Sequence, residues 1–297
     1  MGIVWIIILV IFSKIDRILQ LFYAIRFHET LFALPFCYSA MIIASEGWPL
    51  VSDFVWITIA LISARTIGMS MNRYIDRDID SRNPRTVTRH LPQKKVPANY
   101  MVYISLLGAF ILSFSAFQLN VLSFILVPIA ILFLLIYPFL KRLSWLANIV
   151  LGICLAIAPM GAWIGVRGSI DLIALLLSCS VAFWASGFDI VYHCQDVDFY
   201  KDEGLHSFAQ KFGIPISLVV SRIFDILAIF TLVMVGVVYG MGFYYYLACG
   251  IGTIVLFLKH LDILYFELKR LRSTFVFGNI GFSVAIFAGV ITELLIF

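Results

Sequence analysis

Across 297 residues the chain carries 62% hydrophobic and only 13% charged side chains, against about 25% charged in soluble domains. Too few polar groups remain to cover a water-soluble globule of this size, so a soluble fold is excluded and lipid is the expected solvent. The net charge of +4 comes without a basic stripe on a soluble surface, which excludes a nucleic-acid binder.

In chain order, Met1 to Phe12 is apolar with no basic n-region and no small-residue cleavage site, so residues 1–19 are expected to be an interfacial segment rather than a cleaved leader. Apolar stretches near the length needed to cross a bilayer then recur at approximately 20–44, 51–71, 99–117, 121–138, 144–164, 171–191, 215–240, 242–258 and 276–297. Backbone polar groups in lipid must be paired within their own segment, and runs this long are not barrel strands. The expectation is an all-α, polytopic membrane protein of about nine helices around a central cavity, forming one domain over 1–297.

Lys and Arg are retained on the cytoplasmic side. With the amino terminus inside, every loop obeys that rule: of the basic residues only Arg167 falls outside, and Arg65 and Arg222 lie within spans. The five cysteines, Cys37, Cys154, Cys179, Cys194 and Cys249, have no CxxC spacing and are read as core packing.

The chemistry concentrates after the second span, in Met71-Asn-Arg-Tyr-Ile-Asp-Arg-Asp-Ile-Asp80 followed by Ser81-Arg-Asn-Pro-Arg-Thr-Val-Thr-Arg-His90. Asn72, Asp76 and Asp80 recur at i, i+4 and i+8, one face of a helix. Hard oxygen donors in this array suit Mg²⁺, which binds one or two carboxylates together with substrate phosphates. Arg82, Arg85, Arg89, Lys94 and Lys95 would meet diphosphate oxygens, the guanidinium groups in bidentate fashion. The competing reading of this segment is a solvated loop obeying the inside rule.

Four spans later comes Ser186-Gly-Phe-Asp-Ile-Val-Tyr-His-Cys-Gln-Asp196, with Asp189, Tyr192 and Asp196 at i, i+3 and i+7. Four intervening spans return the chain to the same side of the membrane. Two carboxylate arrays at the ends of spans two and six are therefore expected to face each other, each holding metal on one diphosphate, since carboxylates at a membrane edge are expensive without a partner. Intramembrane charge also marks transporters, but that class predicts charges at the midplane rather than at helix ends on one side.

These motifs, NxxxDxxxD at Asn72, Asp76 and Asp80, RTxxR at Arg85, Thr86 and Arg89, and DxxYxxxD at Asp189, Tyr192 and Asp196, resemble the UbiA superfamily of intramembrane prenyltransferases. The segments NRYIDRDIDSRNPRTVTRHLP and QDVDFYKDEGLHS look most like its bacterial 4-hydroxybenzoate polyprenyltransferase and menaquinone-pathway branch. The second Asp-rich segment argues against the haem-modifying branch. The resemblance implies Mg²⁺-dependent transfer of a polyprenyl group from polyprenyl diphosphate to an aromatic acid such as 4-hydroxybenzoate, ortho to its hydroxyl, in a bacterial inner membrane with amino terminus and active site cytoplasmic.

By the same resemblance Asp76, Asp80, Asp189 and Asp196 are the catalytic and metal-holding carboxylates with Asn72 a further ligand, and Arg85, Arg89, Lys141 and Arg142 bind diphosphate. Arg26, Arg65 and Tyr192 would bind the acceptor. Alternatives stand beside these: Arg65 as a buried cation paired to a carboxylate, Lys141 and Arg142 as interfacial anchors, Asn279 as a helix bridge. The family commonly has Asp where this chain has Arg73, and an acid where it has Tyr200, with Asp198 and Asp202 as candidate substitutes.

Overall fold

The computed structural model describes residues 19–26, 33–266 and 271–296, and the side chains of 264–266 and 271–276 are outside the description. The expected interfacial segment at 1–19 therefore lies almost wholly outside the described residues. After a short helical stretch at 19–24 come α1 (Leu34–Ser45), α2 (Val51–Arg82), α3 (Ala98–Leu119), α4 (Val121–Leu140), α5 (Ala147–Arg167) and α6 (Leu172–His193). A 3₁₀ turn at Cys194–Asp196 leads into α7 (Val197–Asp202) and α8 (Phe208–Phe212). Then follow α9 (Ile214–Tyr239), α10 (Phe243–Phe266) and α11 (Leu271–Ile291). Every element among the described residues is helical, and eight helices are long and apolar enough to cross a membrane, with α1 a shorter apolar helix beside them. The expectation of about nine spans is close to this arrangement.

Neighbouring helices close into a continuous packed array: α2 lies on α3 and α4, α5 on α6, α6 on α9, α10 on α11, and α1 bridges α5 and α11. Close approach between apolar helices in lipid depends on small residues. At Gly152 of α5 an added Cβ would stand 2.1 Å from Ser186 Oγ and 2.4 Å from the Ala182 carbonyl oxygen of α6. At Gly289 of α11 it would stand 2.2 Å from Ala248 Cβ of α10. Phe36, Trp184 and Phe282, all fully buried, pack as tilted rings at centroid distances of 5.1, 5.6 and 5.8 Å and knit α1, α6 and α11 together. Asn120 caps α4 by accepting from Ser123 N at 2.8 Å and donates to the carbonyls of Ile164 and Gly165 at 2.7 and 3.0 Å, pinning the α3–α4 turn to the end of α5.

Two predicted boundaries shift. Helix α2 does not stop near residue 71; its 32 residues run unbroken through the first motif, about 48 Å of helix against a hydrocarbon core of about 30 Å. Lys259, expected at the inner interface, lies inside α10, buried against Asp225 of α9, which itself also meets His260 Nε2 at 2.7 Å. Burial of Lys259 is possible because that carboxylate compensates its charge.

Candidate active site

The first motif sits on the last three turns of α2. Asp76 and Asp80 are buried, Asn72 half-buried, and Arg73 buried with its Nε donating to the Ala24 carbonyl oxygen at 3.1 Å. The chain then caps α2 through Asn83 and doubles back. Thr86 Oγ1 donates to the Asp80 carbonyl oxygen at 3.0 Å and Asn83 Oδ1 accepts from Arg85 N at 2.9 Å, so the turn carries Arg85 and Arg89 back over the acidic face. Arg89 NH1 donates to both oxygens of Asp80 at 2.8 and 2.7 Å.

The second motif ends α6. Asp189, Tyr192 and His193 lie on the helix, but the expected continuous face fails at Asp196. The 3₁₀ turn at Cys194–Asp196 tightens the chain there, and Asp196 has φ −108 and ψ 10 instead of helical angles. Arg85 crosses from the first motif and donates through Nε to Asp196 Oδ1 at 2.9 Å, while its NH1 donates to Tyr192 Oη at 2.9 Å and its plane lies 4.7 Å over the Tyr192 ring. Asn83 Nδ2 adds a contact to Asp196 Oδ1 at 3.3 Å. The ends of α2 and α6, more than a hundred residues apart in sequence, are thus bonded to each other on one side of the molecule.

Asp76 is gripped from a third direction. Lys141 Nζ donates to Asp76 Oδ2, Arg142 NH1 lies 3.4 Å from Oδ1, and Arg142 NH2 donates to the Ile75 carbonyl oxygen at 2.9 Å. Each of Asp76, Asp80 and Asp196 is therefore paired with at least one cation. Burial works against the charge of Arg85, but its hydrogen bonds to Asp196 and the fields of Tyr192 and Asp196 outweigh that, holding its pKa above the ordinary arginine value.

Asp189 is held differently. Asn148 of α5, buried, donates through Nδ2 to Asp189 Oδ2 at 2.7 Å, and its Oδ1 accepts from Phe208 N at 2.9 Å. In the tautomer with a proton on Nδ1, His193 donates to the Asp189 carbonyl oxygen at 2.9 Å, with the carboxylate 3.3 Å away. The segment 197–213 forms a strap across this end. Arg82 Nε donates to Glu203 at 2.9 Å, His206 N donates to the Lys141 carbonyl oxygen at 2.7 Å, and Tyr200 is buried beneath, against Ile79 and Leu205.

Other expected residues fall elsewhere. Arg65 lines an apolar cavity of about 470 Å³ walled mainly by α2, α4 and α5. Tyr137, which shares its inner end, lies within electrostatic reach of Asp76, Arg65 and Arg73. The cavity extends along α4 from Tyr137 to Ser123, about 21 Å of helix. Arg26 is half-buried after the short amino-terminal helix, in a left-handed conformation with φ 50. Asp198 and Asp202 are exposed on α7 and make none of the site's contacts. Asn279 accepts from Trp184 Nε1 at 3.0 Å, the bridge between helices that was its alternative reading.

Asn83, Asn148, His193 and Arg73 join the site without having been singled out as site residues. Three of them sit within or beside the motif segments; Asn148 has only one mark, a lone amide in an otherwise apolar span, which such a span tolerates only with a partner.

Among the described residues no three acidic, His or Cys side chains converge into a ready-made metal cage. The donor set nevertheless fits Mg²⁺, because its carboxylates are buried hard oxygen donors in separate pairs, and this ion completes its shell with water and substrate phosphate.

The profile described as the UbiA prenyltransferase family matches residues 33–281. A 4-hydroxybenzoate octaprenyltransferase of Francisella tularensis subsp. novicida (strain U112) is 25% identical over 236 residues, covering 80% of this chain and 81% of that protein. The apo structure of a UbiA homolog from Aeropyrum pernix K1 superposes with a TM-score of 0.81 at 28% identity, over 89% of this chain and 98% of its own. A UbiA homolog from Archaeoglobus fulgidus, in a structure bound to GPP and Mg²⁺, shares the fold with a TM-score of 0.65 at 13% identity, over 91% and 99% of the two chains.

Proposed function

Because the chain belongs to the UbiA prenyltransferase family, we propose that it transfers a polyprenyl group from polyprenyl diphosphate to the ring of an aromatic acid, with 4-hydroxybenzoate as acceptor and Mg²⁺ as cofactor. The carrying observation is the junction of the two acidic helix ends, Arg85 bonding Asp196 while Asp76 and Asp80 stand on the preceding turns. The name of the Francisella relative and the ligands of the Archaeoglobus homolog support the same chemistry. The whole chain acts as one such domain in a bacterial inner membrane, as the bacterial relatives suggest, and the sorting of Lys and Arg supports an amino terminus and site facing the cytoplasm.

Asn72, Asp76 and Asp80 would hold one Mg²⁺, and Asp189 with Asp196 another. A divalent ion held there would supply positive charge against the negative charge that grows on the leaving diphosphate. Arg85, Arg89, Lys141 and Arg142, now resting on carboxylates, exchange those contacts for diphosphate oxygens. The prenyl chain lies in the apolar cavity that begins at Arg65 and Tyr137 and runs toward the far membrane face. As the C–O bond to diphosphate breaks, its electron pair leaves with the diphosphate and an allylic cation remains. Water is kept from that cation by apolar walls and the strap over the site.

Arg26 and Arg65 hold the acceptor's carboxylate, and Tyr192 borders its ring. The ring carbon ortho to the hydroxyl bonds the allylic carbon and then loses its proton, to the released diphosphate or a carboxylate of the second motif. Purified detergent-solubilised protein with Mg²⁺, a long prenyl diphosphate and 4-hydroxybenzoate should give a product of the summed mass less diphosphate. Product with another ring but none with 4-hydroxybenzoate would replace the acceptor; none with any ring would reject the transferase reading.

A further inference from the structure

Tyr200 is 4% exposed and sits between the two motifs. Its ring packs on Ile79 of α2 and meets the His193 ring edge-on at 5.5 Å, and its backbone oxygen accepts from Leu205 N at 2.8 Å, which fixes the strap's turn above it. The charges of Asp196, Asp76 and Asp189 all act on its hydroxyl, as does that of Arg85, so this one oxygen stands in the common field of both acidic arrays. No described residue hydrogen-bonds it. The ring is buried, but the hydroxyl oxygen is not sealed in and keeps some accessible surface, as suits a phenol whose polar tip meets a partner outside the packed core. Each neighbouring carboxylate is already engaged, Asp76 by Lys141 and Arg142, Asp196 by Arg85 and Asn83, Asp189 by Asn148 and His193. The hydroxyl is thus a donor that no described side chain takes up and that remains accessible, in the field of both arrays where an anion held by them belongs.

We propose that Tyr200 is a catalytic residue that donates its hydroxyl hydrogen bond to an oxygen of the substrate's diphosphate. The assignment rests on the two-motif diphosphate reading above and adds to it a neutral donor alongside the cations. A neutral O–H brings no further negative charge to a place that already holds three carboxylates, and it strengthens as charge accumulates on the leaving oxygens. The rigid ring, clamped between Ile79 and His193, presents the donor with little entropy to lose.

The test is calorimetric binding of inorganic pyrophosphate, with saturating Mg²⁺, to the full-length detergent-solubilised protein and its Tyr200→Phe and Asp76→Ala variants. Mn²⁺ binding without pyrophosphate is followed in parallel by electron paramagnetic resonance. Tyr200→Phe removes an oxygen with no described partner, so its thermal midpoint is expected to match the parent. Its pyrophosphate affinity should fall about tenfold, about 1.4 kcal/mol, with Mn²⁺ binding unchanged. Unchanged pyrophosphate affinity in Tyr200→Phe, with loss in Asp76→Ala, would overturn the role of Tyr200 and leave the two-motif site standing. Weaker Mn²⁺ binding in Tyr200→Phe without pyrophosphate would overturn it too, making the phenol a metal contact. Pyrophosphate binding that is absent from the parent, or untouched by Asp76→Ala, would remove the site reading and Tyr200's role with it.

Discussion

Lys141, Arg142, Arg89 and Arg85 neutralise carboxylates that the membrane edge would otherwise make too costly to keep ionised, and this pairing decides what a single substitution does. Removing Lys141 leaves Asp76, only 2% exposed, with Arg142 alone at 3.4 Å; losing one partner of a buried pair costs about 3–5 kcal/mol where no other cation compensates. Lys141→Met is therefore expected to lower the thermal midpoint and turnover together, whereas Lys141→Arg keeps stability better than activity. The pH dependence has a definite sign. A cation whose folded pKa is raised contributes stability below its unfolded pKa and loses it only as pH rises through the folded value. For Arg85, raised above the ordinary arginine range, the midpoint difference between parent and Arg85→Met should stay flat from neutral pH to about pH 10; a difference fading within that window would contradict the Arg85 assignment. The spacing of Asn72, Asp76 and Asp80 was legible because a helix repeats every 3.6 residues, but the cations' contacts with carboxylates were not, since Lys141 and Asp76 are brought together only by packing of α4 on α2.

Helices α2 and α6 place the motifs, and α5 holds them at distance. Gly152 lies four residues beyond Asn148 on α5 and abuts Ser186, three residues before Asp189 on α6. Gly152→Leu must push these helices apart, because even a Cβ falls 2.1 Å from Ser186 Oγ. An overpacking cost of about 1–3 kcal/mol is expected, with diphosphate binding weakened although the residue touches none of the carboxylates; measured midpoint and affinity both equal to the parent's would mean the contact is dispensable. Asn148→Ala should weaken binding with a smaller fall in midpoint, since Asp189 then keeps only His193. Span positions were legible from hydropathy, but the ends of α2 and α6 were not: hydropathy falls at the motifs while the helix of α2 continues, and the 3₁₀ turn at Asp196 breaks a face that sequence spacing treats as continuous. The strap was equally hidden, because its ties run through backbone groups and an exposed Arg82–Glu203 pair with no spacing rule.

At the scale of the molecule, a polar end built from α2, α4 and α6 meets an apolar cavity running about two-thirds of a bilayer's thickness. That arrangement separates the two halves of a prenyl diphosphate by solvent preference, and it makes cavity length a control on the donor. Gly161 borders the cavity and a Cβ there meets nothing within 4 Å. Gly161→Phe should fold like the parent and shift kcat/KM toward shorter prenyl diphosphates; an unchanged preference would place the chain elsewhere. The overall class was legible from composition alone, whereas the cavity depended on which apolar faces turn inward, and nearly every face of these helices is apolar. The most direct measurement is Mg²⁺-dependent binding of one prenyl diphosphate to the parent, Asp76→Ala, Asp196→Ala and the double variant. If both acidic ends grip a single diphosphate, the double variant loses little more than either single one; losses that add, or binding that survives in both single variants, would contradict a shared site.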